Sequence, residues 1–238
     1  MQLRFLFIFL LILGAATFSR AQSDLSGLLP EPDRDFALWA SASIETKPFK
    51  SDRLVERQFF RKFRVAAELG YRREENLLRL DQTYLELSAK YRIKKWFRVA
   101  TTYRYSMRDK YSINRHRIVV DANLRKKMKR YSLRYRLRYQ HNFGTLPPIP
   151  DLKSFRNKLS LHYNIRKFPV DPWISAEVLS SFSYLGTNVG AVRYQIGAGY
   201  SLNKVHSFDV AFRHQRQIGV SLPTYRNIIS ISYSYYLK

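Results

Sequence analysis

The chain has 238 residues, 42 Lys and Arg against 18 Asp and Glu, and a formal net charge of +24. A hydrophobic content of 45% is too high for a disordered basic tail, and the absence of cysteine excludes a disulfide scaffold, thiolate zinc sites and cysteine nucleophiles. So large an excess of positive charge first suggests nucleic acid.

The N-terminus argues against that partner. Arg4 is followed by the apolar run Phe5 to Leu13 and then by small residues up to Ala21. A basic start, an apolar core and a small-x-small site at Ser19 and Ala21 predict a secretory signal over 1–21, cleaved before Gln22. Cleavage there would leave 217 residues and a net charge of +22, because Arg4 and Arg20 go and no acid goes with them. Export makes ribosomal and chromatin roles poor candidates. The apolar run is also shorter than the ~20 residues of a spanning helix.

After a polar lead over 22–35, expected to lie in the periplasm, one pattern recurs to the end. Segments of about ten residues alternate apolar and polar, the period of strands with two unlike faces. The first sets Phe36, Leu38, Ala40, Ala42 and Ile44 against Ser41, Ser43 and Glu45. The second opposes Phe63, Val65, Ala67, Leu69 and Tyr71 to Arg64, Glu68 and Arg72. In the third, Leu85, Leu87, Ala89 and Tyr91 face away from Tyr84, Glu86 and Lys90. The fourth and fifth place Arg98, Arg104, Arg117, Asp121 and Arg125 opposite Val99, Tyr103, Ile118 and Val120. The sixth is the clearest: Tyr131, Leu133, Tyr135, Leu137 and Tyr139 alternate with Ser132, Arg134, Arg136, Arg138 and Gln140. Leu159, Leu161, Tyr163 and Ile165 then oppose Lys158, Ser160, His162 and Arg166. Four more segments follow, around Trp173 to Phe182, Val192 to Ser201, Phe208 to Gln215 and Ile229 to Leu237.

No charged residue falls on any of these apolar faces. A charge on the lipid side of a membrane barrel costs about 2–4 kcal/mol at the midplane, so an uninterrupted apolar face is what such a wall requires. The opposite faces carry too many charges for a soluble core. Tyr and Phe gather near segment ends, as interfacial girdles require. The expected fold is therefore all-β, an antiparallel transmembrane barrel over 36–238. A soluble sandwich or periplasmic barrel is the competing fold, and a secreted binder of polyanions would go with it.

Short basic turns are expected at Lys94-Lys95, Lys126 to Lys129, Lys167 to Pro172 and Asn203 to Val205. Longer loops are expected at Arg73 to Leu78, Met107 to Arg115, Phe143 to Phe155 and Gly186 to Ala191. Short turns face the periplasm in outer-membrane barrels, which would put Lys238 there. Eleven segments conflict with the even numbers of bacterial single-chain barrels. The range is 10–12 strands, and twelve is favoured, with a hidden strand at Asp24 to Leu29 or Phe49 to Phe60.

The runs Tyr135 to Gln140, Arg115 to Ile118 and Tyr103 to Tyr105, with the early Trp39, resemble an uncharacterised domain-of-unknown-function family of short outer-membrane barrels in Gram-negative bacteria. The resemblance implies a fold and a location, the cell outer membrane. It supplies no activity and no catalytic residues.

Barrel enzymes exist, and one strand here carries residue types that could serve such chemistry. Ser160, His162 and Asn164 share one strand face and name the residue types of a hydrolytic triad. Neighbours two apart on a strand lie about 6.6–6.8 Å from each other, long for a nucleophile–base hydrogen bond. Glu74-Glu75 read as a solvated ion cluster, and His116 and His206 lack metal-ligand spacing. No cofactor or metal is expected, and no enzyme.

The expected lumen-lining residues are Arg64, Glu68, Glu86, Arg98, Arg104, Arg117, Asp121, Arg134, Arg136, Arg138, His162 and Arg213. Networks of Arg with Glu and Asp would brace the wall. The excess of Arg would favour anions in any water path. The function expected is a structural barrel or a narrow, porin-like, weakly anion-preferring channel. The alternative is a lumen-sited enzyme modifying lipid or lipopolysaccharide. Expected partners are outer-membrane lipid and lipopolysaccharide, and the barrel-assembly machinery during insertion. No nucleic acid is expected, and the protein should be a monomer.

Overall fold

The computed structural model describes residues 33–48, 59–108, 114–144, 151–166, 168–183, 186–220 and 222–237. The signal over 1–21, most of the lead over 22–35 and the possible strand at Asp24 to Leu29 lie outside these residues. Eleven strands alternate with turns: β1 (Arg34–Thr46), β2 (Phe63–Glu74), β3 (Arg79–Arg92), β4 (Phe97–Arg108), β5 (Arg115–Met128) and β6 (Tyr131–Gly144) come first. They are followed by β7 (Leu152–Tyr163), β8 (Val170–Ser183), β9 (Gly186–Ser201), β10 (His206–Gln217) and β11 (Tyr225–Tyr236).

Each strand pairs antiparallel with the next, and β1 pairs with β11 to close a barrel. Closure takes eleven strands, which corrects the expectation of twelve. The closing pair is parallel, with Leu38 opposite Ile229 and Ser41 opposite Ser232. A parallel seam removes the parity rule, because the last strand no longer has to run against the first. Of the second possible hidden strand, only the end is described, and 59–62 form a helical turn. The seam is lined with serine on its inner side, where Ser41 Oγ donates to Ser232 Oγ at 3.1 Å and Ser43 Oγ to Ser234 Oγ at 3.0 Å.

An odd strand number also separates the chain ends. Arg34 begins at one mouth and Tyr236 finishes at the other, hereafter the N-terminal and C-terminal mouths. A lead before Arg34 and a C-terminus that both face the periplasm therefore do not follow from this wall. At the C-terminal mouth the connections are 47–62, 93–96, 129–130, 164–169 and 202–205. At the N-terminal mouth they are 75–78, 109–114, 145–151, 184–185 and 218–224.

Several strands outrun the alternating pattern toward the N-terminal mouth. β7 starts at Leu152 and β9 at Gly186, so the loop expected over Gly186 to Ala191 is strand, and only 184–185 join β8 to β9. The added residues mix polar and apolar on each face, with Lys153 and Phe155 outside and Ser154 and Leu152 inside. A period of two in hydrophobicity has nothing to mark there. At the other mouth, β5 continues to Met128, leaving a two-residue turn, while Arg166 lies exposed in the turn after β7 rather than in the lumen.

The outer wall is apolar and open to its surroundings. Leu69, Leu87, Val120, Leu159, Ile174, Tyr194 and Val210 are each half exposed or more. Aromatic pairs form one band toward the C-terminal mouth, including Phe59 on Tyr91 at 5.1 Å, Trp96 on Phe97 at 5.8 Å and Tyr131 on Tyr163 at 5.0 Å. A second band lies toward the other mouth, with His116 on Phe143 at 5.3 Å and Phe155 on Phe182 at 4.9 Å. Among the described residues, no helix is long and apolar enough to cross a membrane.

Candidate functional site: a charged lumen in two halves

Inward side chains divide the lumen into a filled half and an open one. The filled half centres on Glu177 of β8, only 1% exposed. Its carboxylate accepts from Arg156 Nε at 3.1 Å and Nη2 at 3.0 Å, from Arg136 Nη2 at 2.9 Å, and from Arg193 Nη1 and Gln195 Nε2 at 3.3 Å each. Three guanidiniums around one carboxylate satisfy its lone pairs with charge-assisted bonds. Arg193 also donates to Gln215 Oε1 through two nitrogens.

From there the network reaches over β10 and β11 to Trp39 on β1. The Arg193 guanidinium lies 5.3 Å from the Trp39 ring, Arg213 lies 5.0 Å from it and Arg72 4.2 Å. Such cation–π contacts suit arginine, whose planar group is weakly hydrated. The Arg72 guanidinium is also 5.1 Å from the centre of the Tyr84 ring, and that of Arg104 lies 3.8 Å from the same ring. The Tyr84 hydroxyl donates to Glu68 Oε1 at 2.8 Å, and Arg104 Nε donates to Glu86 Oε2 at 2.7 Å. A chain of contacts thus links β6 to β4 through side chains of β8, β9, β1, β2 and β3.

Two glycines make room for inward aromatics. A Cβ on Gly70 would stand 2.0 Å from Tyr84 Cζ, and one on Gly197 would stand 2.7 Å from Trp173 Cζ2. Each aromatic is the cross-strand neighbour of its glycine and lies flat on the wall. Trp173 Nε1 donates to Asp209 Oδ2 at 2.9 Å.

The open half is a cavity of about 640 Å³ reaching the C-terminal mouth. Lys94, Lys95, Trp96 and Tyr236 stand at its rim, and Glu68, Arg138 and Trp173 line its depth. Ten Lys and Arg line it against five Asp and Glu, so it is basic throughout. All five acids are already engaged: Glu45 with Arg64 and Lys90 at 2.6 Å each, Asp121 with both Arg138 nitrogens at 2.7 and 2.8 Å, and Glu68, Glu86 and Asp209 as described.

Eight expected lumen residues meet in this cavity: Glu68, Glu86, Arg98, Asp121, Arg134, Arg136, Arg138 and His162. The other four lie elsewhere. Arg64 borders a smaller recess near Lys47 and Lys204, Arg104 is buried against Glu86, Arg117 donates to Asn142 at 2.5 Å, and Arg213 sits under Trp39. The ladder on β6 separates residue by residue. Arg138 holds Asp121 and Arg136 reaches across β7 to Glu177, while the Arg134 guanidinium makes no hydrogen bond or ion pair among the described residues. Counting acids only on adjacent strands misses Glu177, because an arginine side chain spans two strand spacings of about 4.8 Å. Arg156 lies in the first half of β7, where the apolar alternation that marks the strand is missing. Tyr84 and Trp39 carry no charge to draw notice on a polar face.

Ser160 and His162 both face the cavity, with His162 5.9 Å from Trp173 by ring centroids. No hydrogen bond joins the two among the described residues, and Asn164 Nδ2 donates instead to Asp171 Oδ1 at 2.9 Å. Among the described residues no group of three or more acids and histidines is placed to hold a metal ion.

These features define a class: a closed, eleven-stranded, mostly antiparallel β-barrel with an apolar outer wall and a charged, partly filled lumen. A family described as protein of unknown function (DUF2490) matches residues 36–220, and the chain belongs to that family. No curated protein matches the chain.

Proposed function

We propose that the protein is a monomeric outer-membrane barrel of a Gram-negative bacterium, non-catalytic, serving as a structural element or as a narrow, anion-preferring conduit. The observation that carries the membrane reading is the outer wall. Leu69, Leu87, Ile174 and Tyr194 are 51–63% exposed around a continuous girth. Soluble monomers rarely expose apolar patches beyond a few hundred Å². Strands of 12–16 residues exceed the ~9–11 needed to cross the hydrocarbon layer. The surplus length projects polar residues past the N-terminal mouth, as extracellular extensions of such barrels do. That orientation turns the basic cavity toward the periplasm. The partners would be membrane lipid, lipopolysaccharide and, during insertion, the assembly machinery.

Outer-membrane fractionation with heat-modifiable gel migration tests this location. Recovery in the detergent-free soluble fraction would contradict it. Conduction is tested by reversal potentials in a planar bilayer under a salt gradient. Anion preference, lowered by Arg134→Glu, is expected if the lumen conducts. Arg134 is the cleaner choice over Arg136, whose replacement would also break the Glu177 cluster. Cation selectivity in the unmodified protein would contradict the conduit, and no conductance would leave the structural role.

A further inference from the structure

The cavity holds a cluster that wall bracing does not explain. Arg125 of β5 stands directly opposite Arg134 of β6. Like charges facing one another across a strand pair are destabilising. Arg98 of β4 is paired with Asn123, two residues from Arg125 on the same inner face, so three guanidiniums meet on three consecutive strands. The Arg98 and Arg134 guanidiniums have no hydrogen bond or ion pair among the described residues, and that of Arg125 donates only to Ser132 Oγ at 3.0 Å. All three line the cavity and remain open to solvent through its mouth. Glu45 lies within electrostatic range of Arg98, and Asp171 and Asp209 within range of Arg134, but no carboxylate forms an ion pair with any of the three among the described residues.

We propose that Arg98, Arg125 and Arg134 form a binding site for a phosphate group, carried by a small molecule that enters from the C-terminal mouth. Three planar forks on adjacent strands converge on one volume and match an oxyanion with several acceptor oxygens and more than one charge. A halide offers no such set of acceptors. The cavity volume of about 640 Å³ lies within the range of small-molecule sites. Ser160 and His162 line the adjoining wall, beside Trp173, whose ring also has the Lys158 ammonium 5.1 Å from its centre. The site does not require that the lumen conduct. Only the compartment it samples rests on the membrane reading above.

The test is calorimetric titration of the full barrel, refolded in detergent and verified by heat-modifiable migration. Inorganic pyrophosphate and a short-chain phosphatidic acid are the two probes, each at constant ionic strength set with chloride. Saturable binding at one site per chain is expected, weakened at least tenfold in the double variant Arg98→Gln/Arg134→Gln and unchanged in Lys153→Gln on the outer wall. Tighter binding of pyrophosphate would mark a soluble ligand, and tighter binding of the lipid a headgroup; both keep the phosphate site. Equal binding by the double variant, or no saturable binding of either probe to correctly folded protein, would overturn it. Soluble recovery of the protein would defeat the membrane reading while leaving this titration valid.

Discussion

Around Glu177, three arginines share one fully buried carboxylate, and two more stack with one of them on Trp39. Some strands away, Arg98, Arg125 and Arg134 face the same lumen with no carboxylate paired to them among the described residues. The residue type and the inner face are the same in both halves. What differs is access to water: Glu177 and Arg193 are sealed in, whereas Arg134 opens onto the cavity. Sealed charges must be paired, since stripping one of its partners costs several kcal/mol. Hydrated charges tolerate each other and stay free for a ligand. The filled half therefore reads as bracing and the open half as the place where binding could occur.

Removing the central acid should have the largest effect. Glu177→Leu would leave the buried Arg193 and the half-buried Arg136 and Arg156 without their carboxylate, and a loss of about 3–5 kcal/mol is expected in denaturant unfolding from lipid vesicles. A change under 1 kcal/mol would mean that the filled half is not sealed.

The next effect contrasts inside with outside on a single strand. Leu137 sits between Arg136 and Arg138 but points outward. Leu137→Arg should cost about 2–4 kcal/mol and lower the folding yield in vesicles, because the guanidinium would lie in lipid. Normal yield would contradict the assignment of that face.

Gly197→Val should cost about 1–3 kcal/mol by overfilling the wall, since its new Cβ would meet Trp173. The loss of the Trp173 bond to Asp209 should show as altered tryptophan fluorescence, and an unchanged spectrum would mean that the ring does not lie there.

The smallest effect has the opposite sign. Arg134→Gln should stabilise by a few tenths of a kcal/mol, or leave stability unchanged, because it relieves the facing Arg125. A destabilisation comparable to Glu177→Leu would erase the distinction between the halves.

Much of the wall is legible in the sequence because burial on one face leaves a period of two, unmistakable from Tyr131 to Gln140. The parallel seam is not legible, because alternation records which face a residue takes and not which neighbour its strand meets. Extensions of mixed character such as Leu152 to Asn157 lose the period and with it their signal. Within the lumen, Arg138 and Asp121 are readable as neighbours across β5 and β6. Arg136 with Glu177 is not, since that bond skips a strand. Trp39 is drawn into the network by stacking, which leaves no mark in a charge pattern.

The central claim is that alternate residues of one strand meet lipid and a water-filled lumen. The native chain has no cysteine, so single cysteines can be placed along β6 and spin-labelled without background. In lipid vesicles, oxygen accessibility should be high at 133, 135 and 137 and low at 132, 134 and 136, with water-soluble quencher showing the reverse at 134. Absence of this two-residue period, or its inversion, would contradict the account.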